Sequence, residues 1–189
     1  MLSQLRPAIL MTLVLTVLTG ILYPLAVTGV ARVAFPRQAG GSLIVRDGKV
    51  IGSDLIAQGF ASAKYFQPRP SAAGDKGYDA AGSSGSNLGP IDARLVERVK
   101  ASVAALKEEH PGAAIPVDLV TTSGSGLDPH VTPAAAEFQV PRIARERGMS
   151  PERVRELVAR FTEGRQYGVL GEPRVNVLLL NLALDDAAR

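Results

Sequence analysis

The chain contains no cysteine and only two histidines, and both shortages narrow what it can do. Without thiols there are no disulfides, no thiolate metal sites and no cysteine nucleophile, while the compartment stays open. His110 and His130 each sit beside a proline, and no pair of ligands has the helical spacing of a metal site. Asp75, Asp79 and Asp128 could serve a hard cation, but loop aspartates of this kind are ordinarily turn formers. Excess charge of one sign is also missing. The net charge is only +3, and the seven arginines between Arg142 and Arg165 are interleaved with Glu146, Glu152, Glu156 and Glu163. That mixture describes a solvated helix face rather than a nucleic-acid surface, so no nucleic-acid partner is expected. With 46% hydrophobic and 21% charged residues, the composition is that of a folded chain.

What the sequence does have is one long apolar run. From Pro7 to Ala31 there are 25 residues without a charge, bounded by Arg6 and Arg32. As a helix this run reaches ~37 Å, enough to cross a lipid bilayer with some tilt. Gly29-Val30-Ala31 could pass as a signal-peptide cleavage site, but the run is about twice the usual signal core. The expected layout is a short tail over 1–6, a transmembrane helix over 7–31 and an α/β (α+β) soluble domain over 32–189. Thr12, Thr16 and Gly20 recur every four residues, a small face that another helix can approach closely. Pro24, beside Tyr23, cannot donate its backbone hydrogen bond and should kink the helix. Arg6 and the terminal amine favour a cytoplasmic N-terminus with the domain outside, although Arg32 and Arg37 flank the other end.

In the domain, Leu43 to Ile51 reads as a hairpin turning at Asp47-Gly48. Residues 67–90 are rich in Pro, Gly, Ser, Asp and Asn, which marks an irregular surface loop. A helix should follow Gly89-Pro90 as far as Glu109, with Leu95, Val99 and Leu106 on one side. Thr132-Pro133 and Ser150-Pro151 are both hydroxyl caps followed by proline, hence helix starts. Val117 to Thr122 is read as a short buried strand. Val175 to Leu184 is too apolar for a surface helix and is also read as a buried strand. The expected inventory is three helices and about four strands.

Three constellations could carry chemistry. Ser123 or Ser125 with Asp128 and His130 would make a membrane-anchored hydrolase. A serine so near its histidine in sequence usually cannot reach it, and the Gly-x-Ser-x-Gly elbow is missing. Gly82 to Gly89 and Ser123-Gly124-Ser125-Gly126 could offer backbone N–H groups to phosphate, but neither continues into Gly-Lys-Ser/Thr. A structural reading of Ser123 to Gly126 is a glycine-rich turn closed by Asp128-Pro129.

The motifs, taken in order, resemble one family. They are Arg6-Pro7-Ala8, Thr19-Gly20-Ile21-Leu22-Tyr23-Pro24-Leu25, Gln58-Gly59-Phe60, Tyr65-Phe66-Gln67-Pro68-Arg69-Pro70-Ser71, Ser86-Asn87-Leu88-Gly89-Pro90, Ser123 through His130, and Leu170 through Val177. Together they resemble the C subunit of the Kdp-type potassium-transporting P-type ATPase of bacteria. The resemblance implies a single-pass protein of the bacterial cytoplasmic (inner) membrane without a catalytic centre. It agrees with the lack of an Asp-Lys-Thr-Gly-Thr phosphorylation motif. The implied partners are a channel-like potassium-binding subunit, an ATP-hydrolysing P-type subunit, a small accessory membrane peptide and the lipid bilayer. The implied role is assembly of the complex, or a helper that raises the ATP affinity of the hydrolysing subunit. No cofactor of its own is implied; ATP would enter through a ternary complex, with contacts expected at Ser123, Gly124, Ser125, Gly126 and Gln139. Thr12, Thr16, Gly20, Tyr23 and Pro24 are the expected helix interface, and Asn87, Gly89 and Asp128 the structural motif residues.

Overall fold

A computed structural model describes residues 2–187, which fall into two compact units divided between Ser53 and Asp54. In the first unit, Leu5–Ala34 is one helix of 30 residues, long and apolar enough to cross a membrane, with no part of its most apolar stretch buried within the chain. It is built from α1 (Leu5–Val17), a wider π turn (Leu18–Leu22) and α2 (Tyr23–Ala34). The π turn answers the Pro24 problem. A proline inside a helix frees a carbonyl one turn earlier, and a local i→i+5 step can absorb the mismatch. Here the Tyr23 N–H donates to the Leu18 carbonyl, five residues back. Thr19 meanwhile turns its hydroxyl onto the Leu15 carbonyl at 2.7 Å.

A short helix, α3 (Pro36–Ala39), leads into the expected hairpin of β1 (Leu43–Arg46) and β2 (Lys49–Ser53). The strands are antiparallel, with Arg46 facing Lys49 and Leu43 facing Ser53. Asp47 and Gly48 at the tip have φ of 50° and 74°. Positive φ at both central residues is what a tight hairpin turn of the right twist requires.

The second unit is α+β, with short antiparallel strands instead of a wound parallel sheet. Its elements are α4 (Ala93–Glu109), β3 (His130–Val131), α5 (Pro133–Arg147), α6 (Pro151–Arg160), β4 (Thr162–Glu163), β5 (Arg174–Asn176) and α7 (Val177–Ala187). β5 lies between β3 and β4, pairing His130 with Asn176 and Thr162 with Val175. Helices α5, α6 and α7 bury Val140, Ile143, Val154, Leu180 and Leu184 against Phe66, Val131 and Val175. The caps form as the sequence implies: Thr132 accepts from the Ala135 N–H and Ser150 from the Arg153 N–H. Asp92 caps α4 through the Arg94 N–H at 2.9 Å. Helix α4 carries no buried residue.

Two expected strands are corrected. Val117 to Thr122 is not extended: Val117–Leu119 is a 3-10 turn, closed by the Thr121 hydroxyl on the Val117 carbonyl. Its Asp118 turns inward, and only Leu119 and Val120 of the apolar run are buried hydrophobics. Val175 to Leu184 is a strand for its first two residues only and is otherwise helix α7. Asn176 explains the change, because its side chain accepts from the Leu179 N–H at 3.1 Å and starts the helix. Apolar residues all round are those of a helix buried in the core, not of a strand.

Candidate functional site

The loop from Ser123 to Gly126 is knitted into the domain. The Ser84 N–H and the Ser83 hydroxyl donate to the Ser125 carbonyl, and the Ser71 hydroxyl donates to the Gly126 carbonyl at 2.6 Å. Ser71 in turn accepts from the backbone of Ala73 and Tyr78. Gly126 has φ of 68°, and a β-carbon on it would stand 2.5 Å from the Ser84 carbonyl oxygen and 2.8 Å from the Ala73 nitrogen. No side chain fits there. Asn87 also takes a left-handed backbone, φ 51°, whereas nothing lies within 4 Å of a β-carbon placed on Gly89.

Asp128 both turns the chain and pairs. Its Oδ1 accepts from the His130 N–H at 3.0 Å, and its Oδ2 from Arg69 at 3.3 Å. Burial pushes this carboxyl upward, but the hydrogen bonds from His130 and the charge of Arg69 outweigh it and hold the group below the ordinary carboxylate range. Arg69, Asp118, Asp128, His130, Glu172 and Arg174 line one cleft of about 300 Å³. The hydrolase arrangement does not assemble around it. His130 Nδ1 lies 3.5 Å from Asp128, yet among the described residues no hydrogen bond joins His130 to Ser123 or Ser125. The two serine hydroxyls face each other at 3.4 Å. No group of three or more metal-ligating side chains occurs among the described residues.

Gln139 lies elsewhere. It lines a larger cleft, about 420 Å³, with Phe60, Gln67, Leu106, Glu109 and Arg142. Only 2% of it is exposed, and its amide is fully used. Oε1 accepts from the Gln67 N–H at 2.7 Å and from Arg142 at 2.8 Å, while Nε2 donates to the carbonyls of Gln67 and Ala135. None of Ser123 to Gly126 lines the cleft that Gln139 lines. Arg142, which the sequence reading passed over, is the hub: it also binds Glu109 at 2.7 Å and the carbonyls of Ala63 and Tyr65. The available signal was spacing, since Gln139 and Arg142 share a face of α5 with Ala135, Val140 and Ile143 in the core.

On the apolar helix, Thr12, Thr16, Gly20, Tyr23 and Pro24 are all exposed. Gly20 falls within the π turn, where a β-carbon would meet only the Thr16 methyl, at 3.9 Å.

Known proteins place the chain. The sequence model of a family described as "KdpC: K+-transporting ATPase, c chain" matches residues 5–186. A potassium-transporting ATPase KdpC subunit of Methylorubrum extorquens is 58% identical over the whole of both chains. One from Rhodopseudomonas palustris is 59% identical, again over full length. A third, from Koribacter versatilis, is 60% identical over 97% of this chain and 94% of its own. A match that covers the whole length, the apolar helix included, leaves one assignment: the chain belongs to the KdpC family of potassium-transporting ATPase subunits.

Proposed function

We propose that the chain is a non-catalytic subunit of an ATP-driven potassium uptake pump, and that it acts by assembling and stabilising the complex. One observation carries this reading: a helix of 30 residues whose most apolar stretch is wholly unburied in its own fold, with a small face at Thr12, Thr16 and Gly20. Apolar surface of that extent needs lipid and neighbouring helices to cover it. The partners are the channel-like potassium-binding subunit, the P-type subunit that hydrolyses ATP, and the small accessory peptide. The N-terminus lies in the cytoplasm and the domain outside the inner membrane.

The helper reading, in which the chain raises ATP affinity, gains less from the geometry. The Gly126 N–H is spent on the Ser123 carbonyl, and the Gln139 amide has no free valence for a nucleotide. ATP, where it is met, belongs to a ternary complex with the hydrolysing subunit. Purification of the pump from cells lacking this chain tests the assembly role. The remaining subunits should separate during detergent extraction; an intact complex without it would overturn the reading. Proteolysis of the domain in sealed inverted vesicles tests orientation, and protection is the expected result.

A further inference from the structure

The cleft of Arg69, Asp128 and His130 has an uneven supply of hydrogen-bonding capacity. Its carboxylates are spent. Asp118 accepts from the Thr132 N–H and hydroxyl at the start of α5, Asp128 accepts from His130 and Arg69, and both oxygens of Glu172 take Arg165 at 2.7 Å. Its cations are spent only in part. Arg69 is held by long contacts of 3.2–3.5 Å, and its buried Nε has no partner among the described residues. Arg174 uses Nε and one terminal nitrogen on Glu163, leaving the other terminal nitrogen unbonded among the described residues. His130 Nε2 has no partner among the described residues. The spare donors are thus one terminal nitrogen of Arg174, the loosely held terminal nitrogens of Arg69 and the His130 imidazole, around a cleft large enough for a side chain.

We propose that this cleft receives the carboxylate of an aspartate or glutamate from another subunit of the pump. The proposal rests on the subunit reading above. A planar carboxylate matches the forked donors of arginine better than any neutral acceptor does. With His130 neutral the lining sets three carboxylates against two guanidiniums, so an anion free in solution gains nothing by entering. A carboxylate already held there by docking needs only the short-range hydrogen bonds, because tethering supplies its effective concentration. Arginines at the centre of an interface commonly anchor it in this way.

The test uses the intact pump. Arg174→Lys places an amine at the cleft, and a zero-length carbodiimide then joins that amine to a carboxylate in contact with it. The expected product is a cross-linked peptide connecting position 174 to an acidic residue of another subunit. Arg174→Gln should give no such product. Finding position 174 joined only to Glu163 or Glu172, or left unreacted, would overturn the proposal. Independently, Arg69→Gln with Arg174→Gln should lower the amount of chain retained by the pump on gel filtration several-fold. Arg174 is 45% exposed in its side chain, so Arg174→Gln alone should keep the wild-type unfolding transition while weakening retention. Unchanged retention in both variants, beside a wild-type chain that co-purifies, defeats the cleft and spares the subunit reading. A wild-type chain that fails to co-purify defeats both.

Discussion

Gln139 and Gln67 are joined in both directions: the side-chain amide of Gln139 accepts from the Gln67 N–H at 2.7 Å and donates to the Gln67 carbonyl at 3.1 Å. Asn181 does the same for Phe66, at 2.8 and 3.0 Å. Two buried amides therefore act as strand partners for an irregular segment that has no strand of its own beside it. Removing Asn181 leaves the buried N–H and carbonyl of Phe66 unsatisfied, and removing Gln139 leaves those of the half-buried Gln67, a cost of about 1–3 kcal/mol for each group when fully buried. Asn181→Leu and Gln139→Leu should each destabilise the full-length chain by roughly 2–4 kcal/mol in denaturant titrations. A loss within error of zero would show that these bonds do not hold the segment.

Much of this architecture was legible in the residues. The membrane helix, the Asp47-Gly48 hairpin and the Thr132 and Ser150 caps each depend on local chemistry that a short window contains. The two corrected strands do not. Val117 to Thr122 and Val175 to Leu184 are short apolar runs that fit a strand or a buried helix equally, and the deciding groups were Asp118 and Asn176, whose hydrogen bonds appear only in the fold. The site was harder still. Arg142 looks like one of seven mixed-in arginines until the carbonyls of Ala63 and Tyr65 arrive from far along the chain.

Gly126 should tolerate no substitution. Gly126→Val sets a β-carbon against the Ser84 carbonyl oxygen and the Ala73 nitrogen, both backbone atoms that cannot step aside, and adds the strain of a left-handed conformation. The expected loss is on the order of 4 kcal/mol, enough to prevent assembly. Asp128→Asn should be milder, about 1 kcal/mol, because an amide oxygen can still accept from the His130 N–H. Soluble, wild-type-like yields of Gly126→Val in the purified pump would contradict this packing.

Acid should weaken the Asp128 contacts in a defined direction. The folded carboxyl sits below its unfolded value of about 3.9, so it contributes stability above that pH and loses it as pH falls through the lowered folded value. The stability gap between wild type and Asp128→Asn should then be constant near neutrality and shrink below about pH 4. A gap that widens on acidification would mean the shift has the opposite sign. Denaturation midpoints of both proteins across that range decide it.

The small face of the apolar helix can be blocked without altering the helix. At Gly20 a new β-carbon meets only the Thr16 methyl at ordinary contact distance. Thr16→Leu with Gly20→Leu should keep the chain helical and membrane-bound while releasing it from its complex in detergent. Co-purification at wild-type yield would place the contact on another face.

The central claim is that the chain makes the pump work without performing chemistry. Potassium-stimulated ATP hydrolysis should be measured on pump purified with and without this chain, under identical lipid and detergent. The account predicts that the stimulated rate disappears when the chain is missing and returns when the purified full-length chain is added back, while that chain alone hydrolyses no ATP. A full potassium-stimulated rate from the other subunits alone would contradict it.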